Sequence, residues 1–397
     1  MRIAYFSPLP PSRSGVADYS RELLPHLAKW AEIHVFGDRA DSGSHDLPEG
    51  FPVYHYADFE RLSHKYQGSV YHMGNDLSHE YILETMLRFP SFVVLHDVLL
   101  HHLAVALTVG RGNPALYVRE MGYAYGRDGM ATARAACRAG SFPHSQYPLC
   151  QRMVDVSLGV IVHSKYAAHV VRDLRPRANL AVIPQGTPPA ETGSREESRR
   201  RLGLDPREFI VASLGFATPE KRLEPALTAF ACFLRSNPNS RFLVVGEVPP
   251  WFDLARVIES LGLKDRVLLT GRVPMSDFYG YAEAADACLA LRYPTCGETS
   301  AALLRAMAVG RPVIVSRVGS FAELPEGTCW QVPVDDGEVE GILAALERLA
   351  GDEGLRRRLG RQARAYVEDG HPWPRSAEMY YRFIRDTVGS LCSWPLD

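Results

Sequence analysis

The chain has 397 residues, of which 46% are hydrophobic and 23% charged, an ordinary globular composition with enough length for two domains. Its 44 basic and 46 acidic side chains give a formal net charge of −2, which excludes a nucleic-acid protein that binds through a strongly basic surface. The sequence has no apolar run of the roughly 18 residues that span a bilayer, no signal-peptide core near its start, and no CxxC pair among its seven cysteines. We therefore expect a cytoplasmic protein with reduced thiols and no zinc site.

The first half alternates short apolar strands with helices. An amphipathic helix is expected over 16–30, and strands are expected over 3–6, 33–36, 69–73, 92–95, 159–162 and 182–184. A strand, a helix and a strand within about 35 residues predict a parallel sheet. The stretch 99–156 interrupts this pattern with helices expected over 104–108, 115–125 and 130–139, followed by a loop over 140–148. Such an excursion from a sheet often carries a specific site.

A second strand–helix alternation follows a charged, Pro-containing segment. Strands are expected over 209–214, 241–245, 267–269, 287–291 and 313–315, and helices over 223–236, 253–261, 277–284, 299–309, 338–350 and 354–366. The sequence thus predicts a domain over 1–186, a linker over 187–207 whose charge run forms a solvated helix, a second domain over 208–371, and a tail helix over 372–397. Ligands of such sheets bind at the carboxyl ends of the strands.

The segment 294–315 reads as a loop of small residues, a helix, a Gly-Arg-Pro turn and a strand. Thr299, Ser300 and Ala301 stand where this helix begins. Free amide groups and the positive end of the helix dipole attract anions there, and the hydroxyls add hydrogen-bond donors. The alternative is that either hydroxyl only caps the helix.

The segment 212–222 is a strand that ends at Gly215, followed by a turn and by Lys221 and Arg222. Two cations after the carboxyl end of a strand suit a diphosphate. A solvated helix start is the alternative, although cations at a helix N-terminus oppose its dipole.

These two segments, in this order, resemble glycosyltransferase family 4. Matching stretches include the N-terminal loop with Gly15, the strand end 92–97, and the segments 162–166, 270–273, 285–287, 319–323 and Trp373. The resemblance covers nearly the whole chain. It implies an α/β protein of the GT-B fold, in which two Rossmann-like doubly wound domains face a central cleft and a C-terminal helix crosses back to the N-terminal domain.

The resemblance also implies an activity. Family members are retaining enzymes that move a sugar from a nucleotide-diphosphate sugar to an acceptor, here a glycan, a lipid-linked acceptor or a small molecule. No metal or other cofactor and no nucleic acid is expected. Contact with the inner face of the membrane is compatible with this family, and the oligomeric state stays open. A metal site built from His96, His101 and His102 is disfavoured because their spacing is not that of a helical ligand pair.

The motifs and the resemblance together assign site residues. The catalytic set is His96, Glu298 and Lys221, with His96 bonded to the donor sugar, Glu298 to its hydroxyls, and Lys221 to the developing phosphate charge. A polar loop histidine is the alternative for His96. Three further sets are assigned to binding. The donor diphosphate and sugar are assigned to Gly15, Gly215, Lys221, Arg222, Glu298, Thr299, Ser300 and Ala301. The nucleoside is assigned to Arg272, Val273 and Arg305, and the acceptor to Arg13, Asp97 and His101.

Three departures from the family pattern bear on these assignments. Phe216 stands where the family has Arg, so one diphosphate contact is either missing or supplied by Arg222. Arg305 replaces the second Glu of the signature, and Arg cannot accept the ribose hydrogen bonds that a carboxylate accepts. A deoxyribose donor such as a dTDP-sugar is one consequence. The first Glu position falls on Gly297, with Glu298 one residue late, and we expect Glu298 to serve through a shorter loop.

Other functions remain open at this stage. A nucleotide-sugar epimerase of the same fold would act on the donor alone, and a degenerate protein would bind nucleotide sugar or a partner without turnover. A Rossmann dehydrogenase is disfavoured because no G-x-G-x-x-G follows the first strand and no acidic residue closes the second.

Overall fold

A computed structural model describes residues 1–12, 14–38, 47, 50–190 and 193–392. The chain forms two compact units. The first contains Met1–Gly186, Cys296–Thr299 and Trp373–Asp397, and the second contains Thr187–Thr295 and Ser300–Pro372.

The first unit is built on a seven-stranded parallel sheet. Its strands are β1 (Arg2–Phe6), β2 (Glu32–Gly37), β3 (Val53–His55), β4 (Gly68–Met73), β5 (Phe92–Leu95), β6 (Gly159–Val162) and β7 (Leu180–Val182). Their order across the sheet is β3-β2-β1-β4-β5-β6-β7. Ala4 and Phe6 pack into one core cluster, whereas Ile3 and Tyr5 pack into another. Both faces of the sheet are therefore covered, as expected for parallel strands.

The helices of the first half are α1 (Gly15–Leu27), α2 (Phe59–Leu62), α3 (Glu80–Arg88), α4 (His101–Leu107), α5 (Pro114–Ala139), α6 (Gln151–Val156) and α7 (Lys165–Leu174). In the excursion, the two helices expected over 115–125 and 130–139 lie within α5. They are separated by Gly126, whose dihedral angles (φ 64°, ψ −146°) are not helical. Gly140 then caps the end of α5 in the left-handed conformation.

The second unit has a six-stranded parallel sheet of order β10-β9-β8-β11-β12-β13. The strands are β8 (Phe209–Leu214), β9 (Ser240–Val245), β10 (Val267–Gly271), β11 (Ala287–Ala290), β12 (Val313–Ser316) and β13 (Trp330–Val332). The helices are α8 (Arg195–Arg201), α9 (Leu223–Phe233), α10 (Leu254–Ser260), α11 (Met275–Ala284), α12 (Ala301–Ala308), α13 (Glu338–Gly351) and α14 (Glu353–Gly370). This strand order is that of the dinucleotide-binding Rossmann fold. The expected fold class, two doubly wound α/β domains, is confirmed for each unit.

The charge run 194–201 forms the expected helix, α8, and Glu196, Glu197, Arg200 and Arg201 are exposed. Arg199 is the exception, with a side chain that is 1% exposed. Its guanidinium donates to the Asp286 carboxylate (2.7 Å) and to the carbonyl oxygens of Ala284 and Glu208. Asp286 is itself buried and accepts the amide of Ile210 (2.8 Å), so its charge requires a buried cation.

The tail forms α15 (Trp373–Cys392), which packs beside α1 in the first unit. A Cβ at Gly186 would lie 2.2 Å from Cδ2 of Trp373, so the indole rests on the glycine backbone. Nε1 of Trp373 donates to Glu22 (3.1 Å), and the Tyr380 and Tyr19 hydroxyls are hydrogen-bonded (2.8 Å). None of the helices in the described part of the chain combines the length and the hydropathy that a membrane span requires.

Candidate active site

A pocket lies in the second unit, at the carboxyl ends of β8 and β11. The strand order reverses between these two strands, and the crevice at such a switch point is where open α/β sheets bind ligands. The pocket is lined by Leu214, Lys221, Cys288, Leu289, Ala290, Leu291, Arg292, Ser300, Ala302, Ala306 and Phe321.

The charges of this lining have one sign. Lys221 and Arg292 are cationic, and the described residues that line the pocket include no acid. Nζ of Lys221 donates to the carbonyl oxygen of Leu214 (2.5 Å), which holds the ammonium at the end of β8. A Cβ at position 215 would lie 2.7 Å from Nζ, and Gly215 has φ +87°, so only glycine leaves this approach open. The pocket is therefore suited to an anion.

Helix α12 begins at the same pocket. Ser300 is its N-cap, and its Oγ accepts the amide of Leu303 (3.2 Å). The capping interpretation is thus confirmed for Ser300, whose O–H can still donate. The amides of Ala301 and Ala302 lie in the first turn, where no intrahelical acceptor exists, and Ala302 lines the pocket. The positive end of the α12 dipole adds to the attraction for an anion.

Arg222, one of the two alternatives for the missing diphosphate contact, is not among the residues that line the pocket. Its backbone is left-handed (φ 56°), and its Nε lies 3.1 and 3.0 Å from the two carboxylate oxygens of Glu338. Glu338 is 2% exposed, and its hydrogen bonds raise the pKa of Arg222. The ring of Phe216, at the family's Arg position, is exposed. Sequence analysis missed Glu338 because it lies 116 residues away.

The residues assigned to the nucleoside do not line this pocket. Arg272 is exposed and Val273 is half-buried, and both follow directly after β10. Arg305 is buried in the middle of α12 (7% exposed). The pocket therefore joins Lys221, Ser300 and Ala302, whereas these three side chains are held elsewhere in the unit.

In the first unit, His96 follows β5 and meets histidines from the neighbouring strands. Nδ1 of His72, on β4, lies 3.0 Å from Nε2 of His96, and His163, after β6, donates from Nδ1 to the carbonyl oxygen of Ile183 (2.9 Å). Burial lowers the pKa of His72 and His96, and the neighbouring histidines lower both further. His96 is thus a neutral ring whose Nε2 is already bonded, which leaves Nδ1 for a ligand.

The structure describes two of the three residues assigned to the acceptor, Asp97 and His101. Oδ2 of Asp97 accepts the amide of Asn75 (3.1 Å). His101 is buried; its Nδ1 donates to the carbonyl of Tyr147 (2.9 Å) and its Nε2 accepts from the hydroxyl of Tyr117 (2.8 Å). Both ring nitrogens serve the excursion, so the structure does not support a role for His101 in acceptor binding or in a metal site. Arg13 lies outside the described residues.

Three other assigned residues belong to the first unit. Gly15 is the exposed first residue of α1. Glu298 lies in the segment Cys296–Thr299, where its Oε2 accepts the amide of Cys296 (2.8 Å). The Cys296 carbonyl accepts the amides of Val98 and Leu99, which explains why this segment groups with the first unit. Oγ1 of Thr299 is buried without a hydrogen-bond partner in the described part of the chain.

Each unit has a Rossmann-type sheet, and the second unit holds the anion pocket at its switch point. Solved structures share this fold. Sucrose-phosphate synthase from Thermosynechococcus elongatus matches with a TM-score of 0.74 and 19% identity, over 98% of this chain and 100% of that one. Anabaena HepE, solved with UDP and glucose, matches with a TM-score of 0.68 and 16% identity over the same shares. The expected GT-B fold is therefore confirmed.

Sequence comparison gives a family match over part of the chain. Residues 194–366 match the model described as glycosyl transferases group 1. The D-inositol 3-phosphate glycosyltransferase of Segniliparus rotundus is 32% identical over 170 residues (40% of this chain, 37% of the relative). The alpha-D-kanosaminyltransferase of Streptomyces kanamyceticus is 30% identical over 170 residues (43% of each). The chain thus spans less than half the length of these relatives.

Proposed function

We propose that this protein is a retaining glycosyltransferase that moves a sugar from a nucleotide-diphosphate sugar to an acceptor hydroxyl. The observation that carries the proposal is the pocket at the β8/β11 switch point, which has two cations, a helix N-terminus and no acid among its described lining residues. All of its lining residues lie within the segment that matches the glycosyl transferase family.

In the proposed reaction, the bond between the anomeric carbon and the β-phosphate oxygen breaks, and its electron pair stays on the phosphate. The Lys221 ammonium and the first-turn amides of α12 stabilise that charge, because they are already oriented toward it. The acceptor oxygen bonds to the anomeric carbon on the face that the phosphate leaves, and its proton passes to the departing phosphate. Neither a metal nor an enzyme nucleophile is part of this proposal.

His96 and Glu298 are assigned to the sugar hydroxyls. Neutral His96 can bond a hydroxyl through Nδ1, because its Nε2 is bonded to His72. Oε2 of Glu298 accepts the Cys296 amide, which holds the carboxylate in place, and the carboxylate is assigned to the sugar hydroxyls. Neither residue is proposed to form a covalent bond to the donor.

The relatives support a broad choice of acceptors. One is named an alpha-monoglucosyldiacylglycerol synthase (Streptococcus pneumoniae), another a D-inositol 3-phosphate glycosyltransferase and a third an alpha-D-kanosaminyltransferase. We therefore propose a glycan, lipid-linked or small-molecule acceptor, with a place in polysaccharide biosynthesis in the cytoplasm at the inner face of the membrane. The UDP complex of HepE supports a UDP-sugar donor. A dTDP-sugar is the second candidate donor, because Arg305 cannot accept the hydrogen bonds of ribose hydroxyls.

The test is donor turnover with UDP-, GDP-, ADP-, dTDP- and CDP-glucose, with and without candidate acceptors. We expect transfer from one nucleotide sugar and, by NMR, a product whose anomeric configuration matches that of the donor. Conversion of the donor sugar without acceptor would identify an epimerase instead. Nucleotide binding without turnover on any acceptor would support a non-catalytic binding protein.

A further inference from the structure

We propose that Arg292 is the second cation that binds the donor diphosphate, in the role that neither position 216 nor Arg222 fills. This inference rests on the proposed function, because it names a further binding residue in the same pocket. It assigns to Arg292 a contact with the two phosphates and none with the nucleobase.

The backbone of Arg292 is fixed on both sides. It stands two residues after β11, and its amide donates to Oγ of Ser316 at the end of β12 (2.9 Å). The next amide, that of Tyr293, donates to the carbonyl of Glu220 (2.8 Å), which immediately precedes Lys221. The two pocket cations are therefore carried by segments that are hydrogen-bonded to each other.

The charge of the ligand requires more than one cation. The diphosphate of a nucleotide sugar carries two negative charges, and Lys221 offsets one of them. The Arg222 guanidinium pairs with buried Glu338, and Phe216 presents an apolar ring. Arg292 is the other cation that lines the pocket in the described part of the chain. Its planar guanidinium can also bind two phosphate oxygens in a fixed bidentate geometry, which an ammonium lacks.

The test compares the wild-type protein with R292Q in calorimetric titrations. The probe is whichever of UDP, GDP, ADP, dTDP and CDP binds the wild type most tightly, together with the matching nucleoside. We expect R292Q to weaken diphosphate binding at least about tenfold, since a hydrogen bond to a charged group contributes at least this much. Binding of the nucleoside should stay within about twofold of wild type. The diphosphate affinity of R292K should lie between those of the wild type and R292Q.

The matched control is R235Q, which removes an exposed arginine just after α9 and should leave both affinities unchanged. Equal loss of nucleoside and diphosphate binding in R292Q would indicate a general disturbance and overturn the proposal, as would unchanged diphosphate binding. If no nucleotide binds the wild type, the proposed function fails first. Thermal shifts with millimolar pyrophosphate then decide whether Arg292 binds diphosphate at all: equal shifts in wild type and R292Q overturn the assignment.

Discussion

Lys221 and Arg222 are adjacent in the sequence, yet their side chains have different partners. Lys221 is held at the end of β8, in the pocket, whereas the left-handed backbone of Arg222 directs its guanidinium to Glu338. Glu338 is the first residue of α13 and is buried, so the ion pair ties the β8 turn to that helix. One cation thus lines the pocket, and the other stabilises the turn that carries it.

Replacing Lys221 by alanine should reduce kcat about 100- to 1000-fold, the usual effect of removing one preorganised donor from a developing charge. The measurement is donor turnover at saturating nucleotide sugar. Exposed Lys264, in the turn before β10, provides the matched control, and K264A should keep wild-type turnover. Full activity in K221A would refute the assignment of the diphosphate pocket.

The buried histidines should make the protein sensitive to acid. Burial lowers the pKa of His72 below its ordinary 6.5, and His96, His163, His79 and the rings of Tyr5, Tyr19 and Tyr380 surround it. The unfolded chain therefore binds protons that the folded chain excludes once the pH falls below about 6.5. Stability is fully present above this pH and decreases below it.

H72F should flatten this dependence, because phenylalanine does not titrate. The change per pH unit is at most about 1.4 kcal/mol for one group. The measurement is the free energy of urea unfolding from pH 7.5 to 5.0, compared with wild type and with H64F, which replaces an exposed histidine. If H72F and H64F lose stability along the same curve, the histidine cluster is not the cause.

Among single residues, the sequence predicts the position of those that a neighbouring strand or helix places. Lys221 and Ser300 follow from a strand end and a helix start, and both line the pocket. The sequence does not predict the partners that Arg222 and His101 have in the structure. Glu338 and the pair Tyr117 and Tyr147 are remote from them in sequence. The bond between His72 and His96 depends on the register of β4 with β5, which the sequence does not specify.

Among the elements, α8 departs from its prediction at one residue. Its Arg and Glu residues predict a solvated helix and most of them are exposed, but Arg199 is buried against Asp286. Two short strands are absent from the sequence prediction. β3 and β13 have three residues each, which is too short for an apolar run that distinguishes a strand from a loop. β3 is also half-buried throughout.

R199A should lower the free energy of unfolding by about 1.5–3 kcal/mol, since it removes one of the two arginines that pair with buried Asp286. Arg195, whose Nη2 lies 2.7 Å from Oδ1 of Asp286, still offsets the charge. Chemical denaturation followed by circular dichroism measures this loss. R200A removes an exposed arginine from the same helix and should change stability by no more than about 0.5 kcal/mol. Equal effects of the two substitutions would show that α8 contributes through its helicity alone.

For the whole molecule, the alternation of strands and helices predicted the architecture well, because parallel strands joined by helices leave few topologies open. Both sheets have the 3-2-1-4-5-6 order within their strands, and the second places its anion pocket where that order reverses. The return of α15 to the first unit rests on Trp373 against Gly186, a contact that spacing alone does not reveal.

Nucleotide binding should stabilise the folded protein without magnesium. Each of UDP, GDP, ADP, dTDP and CDP is added at rising concentration, with magnesium or with EDTA, and the melting temperature is recorded. A ligand at about 100 times its Kd contributes about 2.7 kcal/mol to the folded state, which corresponds to several degrees. One base should dominate, and its shift should be the same with magnesium and with EDTA, because Lys221, Arg292 and α12 already supply the positive charge. A shift that appears only with magnesium would mean that these groups do not neutralise the diphosphate and that the reaction uses a metal.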